Sequence, residues 1–243
     1  MADFVLVHGA WHGAWCWRKV LPSLWRTGHR AFTVSLTGVG ERSHQLSPAI
    51  RLDTHVDDVQ AVVECEELER AILVGHSYGD LLITAVADRV PERVAHLVYL
   101  DAIVPHNGEG WSSIHDEQTR AGRREGIART GAMPPLDASA FGLTGADASW
   151  VNRRQRPHPG SLYEDALQFD ESRLARIPRT FVDCTAPALH SVALSRMRVR
   201  SELGWRVVEL PTGHDAMISA PEELLAILQN VATLSDAPRG EEP

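Results

Sequence analysis

The sequence has few cysteines and almost no lysine. Cys16, Cys65 and Cys184 are far apart and lack the short spacings of metal ligands. We therefore expect small buried side chains in a reducing compartment, rather than a disulfide framework or a metal site. Lys19 is the only lysine, so arginine supplies nearly all of the positive charge.

Long apolar runs and an excess of positive charge are also missing. No stretch approaches the roughly 20 apolar residues that a membrane-spanning helix needs. Neither the basic region nor the cleavage site of a signal peptide precedes the apolar run that begins at Phe4. The formal net charge of -8 argues against nucleic acid or an anionic membrane as a partner. We therefore expect a soluble cytoplasmic protein.

Short apolar runs alternate with longer helical patterns, which is typical of a parallel sheet covered by helices. A chain of 243 residues, 44% of them hydrophobic, can bury such a core in one domain. The runs are rich in Val, Leu and Ile, as strands buried on both faces are. They predict about six strands, near 4–8, 31–35, 71–74, 95–100, 180–184 and 205–210.

Helices are predicted near 16–26, 54–66, 78–89, 193–203 and 221–234. Positions 105–178 interrupt the alternation with clustered Arg, Gly, Pro and Asp. Such a segment fits an inserted lid better than additional sheet. The predicted organisation is a core of 1–104 and 179–243 with a lid of 105–178, and the sequence leaves association into a homodimer open.

The sequence Gly75-His76-Ser77-Tyr78-Gly79 lies directly between a predicted strand and a predicted helix. A serine at that point of a G-x-S-x-G pattern is typical of a nucleophile elbow. The chain must turn sharply, which strains the serine and exposes its Oγ, and only small neighbours avoid a clash. We interpret Ser77 as a nucleophile, and a Gly-Ser turn without a chemical role is the alternative.

A serine hydroxyl is a weak nucleophile and needs a base, for which His214 is the best candidate. It follows the last predicted strand and precedes the last predicted helix, so its imidazole can lie at the carboxyl edge of the sheet. His8 ends the first strand, and His76 points away from a pocket that Ser77 faces. A histidine that only caps a helix is the alternative for His214.

Attack on a carbonyl group also requires N–H donors for the developing oxyanion. One is expected from the backbone of Tyr78, the residue after Ser77. The other is expected from Ala10, in the loop after the first strand, where Gly9 lets the backbone approach closely. An ordinary turn between a strand and a helix is the alternative for this loop.

Four motifs, FVLVHGAWHGAWCW, LTGVGERS, LVGHSYG and TGHDAM, follow one another along the chain. Together they resemble the α/β-hydrolase superfamily, specifically the branch of plant methylesterases, hydroxynitrile lyases and their bacterial esterase relatives. The resemblance implies an α/β-hydrolase fold with Ala10 and Tyr78 as oxyanion donors. Hydroxynitrile lyases of this family carry threonine at the position of Gly9 and lysine at that of Asp215, so the resemblance favours an esterase.

The acid that would orient His214 is harder to locate. In the plant relatives it follows the strand that is RTFVDCT here, but the loop beyond it, APALHSV, has no carboxylate. Asp101 lies at the tip of the preceding strand, and Asp183 lies within RTFVDCT. A side chain at a strand tip can reach the histidine, whereas one in mid-strand points into a face of the sheet. We favour Asp101, with Asp183 or an acid-free dyad as alternatives.

Asp80 occupies a position where the family usually has another glycine. We expect its carboxylate to turn away from the pocket and cap the helix, because a negative charge near the oxyanion would oppose catalysis. Trp11, beside the oxyanion loop, and Trp111, in the lid, are expected to line an apolar pocket. Packing of the lid on the core is the alternative for Trp111.

The sequence thus predicts a serine hydrolase that cleaves a small carboxylic ester through an acyl-enzyme on Ser77, without a metal or an organic cofactor. Amide, lactone or carbon–carbon cleavage would use the same groups. Two other functions fit the same scaffold: a non-catalytic binder of small molecules, and a cofactor-free oxygenase in which His214 is the base.

Asp101→Asn should lower ester turnover by roughly 10³-fold or more, because a neutral amide no longer orients the His214 imidazole. Asp183→Asn is the control and should keep most of the activity. Steady-state kinetics of the two purified variants check the assignment. Near-normal turnover in Asp101→Asn, together with a large loss in Asp183→Asn, would reverse it.

Overall fold

The structure is a computed structural model that describes residues 1–236. The six predicted strands are confirmed, with each end within two residues of its predicted position, and two short strands were not predicted. They are β1 (Asp3–Val7), β2 (Arg30–Val34), β3 (Ala71–His76), β4 (Val94–Leu100), β5 (Ala132–Met133), β6 (His158–Pro159), β7 (Arg179–Cys184) and β8 (Trp205–Leu210).

The main sheet has the order β2-β1-β3-β4-β7-β8, and every neighbouring pair is parallel. The predicted α/β class is therefore confirmed. Alternate residues of a strand face opposite sides, so Val5 and Val7 join one buried cluster while Phe4 and Leu6 join the other. Both faces of the sheet are thus covered, which explains why the strands are almost continuously apolar.

Helices flank both faces of this sheet. One buried cluster includes Val56 and Leu81, and the other includes Leu24 and Leu228. The α-helices are α1 (Leu21–Arg26), α2 (Leu52–Cys65), α3 (Gly79–Arg89), α4 (Glu117–Thr130), α5 (Gly145–Asn152), α6 (Glu171–Leu174), α7 (Ala193–Ser201), α8 (Ala216–Ser219) and α9 (Pro221–Asp236).

The helix predicted near 16–26 is divided in two. A 3₁₀ helix, Ala14–Lys19, precedes α1, and Pro22 lies in the first turn of α1. Proline has no N–H to donate to the preceding turn, so a continuous helix cannot pass through it. The prediction of a single helix was therefore wrong, although the segment is helical.

Residues 105–178 contribute no strand to the six-stranded sheet. They contain α4, α5, α6 and the antiparallel pair β5-β6. Positions 237–243 of the predicted second core segment lie outside the described residues. Among those that are described, no helix combines the length and the apolar character needed to cross a bilayer.

Parallel strands bring their carboxyl ends to one edge of the sheet, where ligands bind in open α/β folds. Ser77 directly follows β3, Asp101 directly follows β4, and His214 lies between β8 and α8. Since β3 pairs with β4, β4 with β7 and β7 with β8, these three segments reach the same edge. The topology thus collects side chains that are far apart in sequence.

Candidate active site

Ser77 occupies a tight elbow between β3 and α3. Its φ is 55°, in the left-handed region, which is a strained conformation for serine. The two glycines of the motif are sterically required: a Cβ on Gly79 would lie 2.8 Å from the carbonyl oxygen of His8, and one on Gly75 would lie 2.9 Å from the backbone nitrogen of Asp80. The predicted strained turn with small neighbours is therefore present.

His214 and Asp101 are joined by a buried hydrogen bond. His214 Nδ1 lies 2.7 Å from Asp101 Oδ2, and the two residues are 3% and 0% exposed. A carboxylate only accepts, so Nδ1 carries the proton. The second oxygen, Asp101 Oδ1, accepts from Arg196 Nη2 at 2.7 Å and from the Cys184 N–H at 3.3 Å. The Asp101 carboxylate is therefore held on both sides.

Asp183, the alternative acid, has other partners. It lies inside β7 and forms ion pairs with Arg196 Nε and with Arg200 Nη2. No hydrogen bond joins it to His214 in residues 1–236. Arg196 thus bridges Asp183 and Asp101, and the structure brings Asp101, not Asp183, to the histidine.

Ser77 and His214 line one narrow cavity of about 70 Å³. Within the described part of the chain, Ser77 Oγ and His214 make no hydrogen bond to each other; such bonds often tighten only when substrate binds. Trp11 and Trp111, the predicted pocket residues, both line the cavity, with ring centroids 5.8 Å apart. Larger cavities, of about 410 and 400 Å³, contain neither Ser77 nor His214.

The loop after β1 approaches Ser77 closely. A Cβ on Gly9 would lie 2.9 Å from Ser77 Cβ, so glycine is needed there. Neither the Ala10 nor the Tyr78 N–H donates a hydrogen bond to another group of residues 1–236. Trp11 has a φ of 64° and is held by its Nε1–H, which donates to the Met133 carbonyl at 3.1 Å.

Comparison with known proteins identifies the family of this site. A model of the "Alpha/beta hydrolase family" matches residues 4–227. The chain belongs to the alpha/beta hydrolase family. It is 38% identical over 234 residues to the carbendazim hydrolyzing esterase of Nocardioides sp., covering 92% of this chain and 97% of that protein.

More distant relatives of this hydrolase agree. Methylesterase 10 of Arabidopsis thaliana is 27% identical, over 94% of this chain and 91% of that protein. An extracellular alpha/beta-hydrolase from a Paenibacillus species matches the fold with a TM-score of 0.80 at 20% identity, over 95% of this chain and 98% of that one. The resemblance to the methylesterase branch is confirmed.

The hydrolase also contains a buried ion pair that the sequence did not predict. His12 Nε2 lies 3.1 Å from Asp215 Oδ2, and His12 Nδ1 lies 2.8 Å from the Ala10 carbonyl oxygen. Both partners are acceptors, so His12 donates through both nitrogens as an imidazolium ion. Burial lowers its pKa, but Asp215 more than reverses this and leaves it raised. Burial would raise the pKa of Asp215, but His12 outweighs it and holds that pKa at about 2.

This ion pair connects the oxyanion loop to the residue after His214. Because His12 holds the Ala10 carbonyl, it fixes the peptide between Ala10 and Trp11. The preceding peptide, which carries the Ala10 N–H, is held by His8 Nδ1, which lies 2.8 Å from the Gly9 carbonyl oxygen. The only hint in the sequence is the second histidine of HGAWHG, whose partner is 203 positions away. His76, His214 and Asp215 have nitrogen and carboxylate atoms within 4.8 Å of one another, but protein partners hold them, and we assign no metal there.

Asp80 is fully buried and is not a helix cap. It does not line the cavity of Ser77, but the expected capping hydrogen bond is not formed, so that part of the prediction was wrong. Neither carboxyl oxygen has a hydrogen-bond partner among residues 1–236. Burial raises the pKa of Asp80 well above its usual range, and the nearby Asp101 raises it further. Asp80 is therefore a neutral acid, because ionisation would leave an unpaired charge in the core.

Asp80→Asn should change how the free energy of unfolding depends on pH. A raised pKa in the folded state means that Asp80 destabilises the fold increasingly as the pH rises above its unfolded-state value. Asparagine does not titrate, so the stability of the variant relative to the parent should increase from pH 5 to pH 7, by at most about 1.4 kcal/mol per pH unit. Urea unfolding at both pH values measures this slope, and parallel curves would contradict it.

Proposed function

We propose that this α/β hydrolase is a carboxylic ester hydrolase with Ser77 as its nucleophile. The observation that carries the proposal is the position of His214, which contacts Asp101 through Nδ1 and lines the cavity that contains Ser77. The printed names of its relatives, a carbendazim hydrolyzing esterase and a methylesterase, support ester cleavage.

In the proposed reaction, Ser77 Oγ attacks the ester carbonyl while His214 Nε2 accepts the hydroxyl proton. The same nitrogen then donates this proton to the departing alcohol, which leaves an acyl group on Ser77. Water, deprotonated by His214, releases the carboxylic acid and restores the serine. Asp101 keeps the proton on Nδ1 and stabilises the imidazolium ion that forms in each step.

The oxyanion of each tetrahedral intermediate would be bound by the N–H groups of Ala10 and Tyr78. Both lie next to Ser77, one across the Gly9 contact and the other at the start of α3. Donors that are fixed in advance can stabilise developing charge without reorganising. The role of the His12–Asp215 ion pair would be to hold the loop at the Ala10 carbonyl, directly after the donor N–H.

The segment 105–178 is proposed to be a lid over the carboxyl edge of the sheet. It supplies Trp111, which packs edge-on against Trp11 of the core, and both residues line the cavity. The cavity is narrow and mostly lined by aromatic and aliphatic side chains. These features favour a small ester with an apolar part that packs against the two tryptophans.

The proposal is tested with a fluorophosphonate probe and p-nitrophenyl acetate. The probe should add its mass to the peptide that contains Ser77, and Ser77→Ala should remove both the label and at least about 10³-fold of the turnover. Ser149→Ala, which changes an exposed serine of α5, is the matched control and should retain both.

The same experiment separates the other functions. Ligand binding without turnover or labelling would indicate a non-catalytic binder. Oxygen consumption that survives Ser77→Ala but not His214→Ala would indicate the cofactor-free oxygenase. Either result would overturn the esterase proposal.

A further inference from the structure

Arg123, on α4, lines the same cavity as Ser77 and His214. Its neighbours on that helix have acidic partners: Arg120 pairs with Glu117, and Arg124 pairs with Glu117 and Glu164. Arg123 forms no ion pair with any residue that the structure describes. The helix therefore directs two arginines toward carboxylates of the protein and one toward the cavity.

Aromatic rings surround the Arg123 guanidinium. Its Cζ lies 5.9 Å from the ring centroid of Trp11, 5.8 Å from that of Trp111 and 5.9 Å from that of Tyr163. Among residues 1–236, Nη1 has only the weak acceptor Met133 Sδ, at 4.0 Å, and the buried Nε has no hydrogen-bond partner. Ring faces attract a cation, but they leave the N–H donors of the guanidinium unsatisfied.

The other titratable groups of the cavity do not balance this charge. His115 is neutral, because burial and then Arg123 hold its pKa at about 4. The Asp101 carboxylate already accepts hydrogen bonds from His214 and Arg196. Burial lowers the pKa of Arg123, but an arginine remains charged at neutral pH. The cavity thus contains a cation that forms an ion pair with no carboxylate of residues 1–236.

We infer that the substrates of this site are esters that carry a carboxylate away from the scissile bond, and that Arg123 binds that carboxylate. The inference rests on the proposed ester hydrolysis and names its substrate class. A guanidinium fork matches a carboxylate with two parallel hydrogen bonds, and these would use the N–H donors that the rings leave unpaired. The substrate chain between the carboxylate and the ester would pack against the exposed surfaces of Trp11 and Trp111, which line the cavity.

The test compares monomethyl esters of succinic, glutaric and adipic acid with the same esters whose free carboxylate is replaced by a carboxamide. The pairs match in shape and differ in charge, and the series covers several distances between Arg123 and Ser77. For at least one chain length, the parent should hydrolyse the ester with a free carboxylate with a kcat/KM at least tenfold higher than that of the matching carboxamide ester. Arg123→Gln should lose this preference at least tenfold, and Arg123→Lys should keep part of it because the charge remains.

Arg124→Gln is the matched control, since Arg124 lies on the same helix and is 47% exposed in its side chain. It should leave the ratio of acid to amide unchanged. An equal ratio in the parent and Arg123→Gln would overturn the inference, as would a parent that prefers the amide throughout the series. If Arg123→Gln does not fold, the test is the preference for carboxylate over carboxamide esters in the parent and in Arg123→Lys. A preference in the parent that Arg123→Lys keeps in part supports the inference, and no preference in the parent overturns it.

Binding to Ser77→Ala separates this inference from the proposed function. Calorimetry with the monomethyl esters should show binding to Ser77→Ala that weakens at least tenfold in the double variant Ser77→Ala, Arg123→Gln. Hydrolysis of p-nitrophenyl acetate that depends on Ser77, without any effect of Arg123 on either measurement, would refute the inference and leave the esterase proposal intact. Binding that depends on Arg123, without hydrolysis of any ester, would support the carboxylate site and refute the esterase.

Discussion

The hydrogen bond from His214 Nδ1–H to the Asp101 carboxylate is the interaction on which the site depends. It connects the end of β4 to the loop after β8, across 113 positions of sequence, and it is buried. It also determines which imidazole nitrogen carries a proton, and therefore leaves Nε2 to act toward the cavity. Arg196 and the Cys184 N–H hold the other carboxylate oxygen, so the orientation of the imidazole is determined by the fold.

Backbone strain is concentrated around this hydrogen bond. Of the non-glycine residues that the structure describes, four have a positive φ, and three of these are Trp11, Ser77 and Asp101. Each is held in place by neighbouring backbone: the Ser77 N–H donates to Leu100, and the Asp101 N–H donates to Val182. Conformations of this kind persist only where the surroundings enforce them, and they cluster at functional sites. The three strained residues all line the cavity that contains Ser77 and His214, so backbone strain and the proposed catalytic groups indicate the same site.

Buried ionisable groups of this hydrolase avoid an unpaired charge in two ways. Some are compensated within the protein, as in the pair of His12 with Asp215 and in the bridge that Arg196 forms between Asp101 and Asp183. Asp80 instead avoids its charge by remaining protonated. A guanidinium does not have this option, and Arg123 has no ion-pair partner among residues 1–236, which is the basis for proposing a carboxylate ligand there. The paired or neutral groups maintain the fold, whereas Arg123 lines the cavity without an internal counter-charge among residues 1–236.

The sequence by itself determined the α/β fold, the six strands of the main sheet to within two residues, and the elbow at Ser77. These features depend on residues that are adjacent in the chain: buried strands are continuously apolar, and a sharp turn from strand to helix requires glycine on both sides of the serine. The position of a carboxylate at a strand tip also favoured Asp101 over Asp183. Only the tertiary structure decided which groups neutralise which charges, because the partners of His12 and Asp101 come from other strands and loops. For the same reason, neither the protonation of Asp80 nor the missing partner of Arg123 could be inferred before the chain was folded.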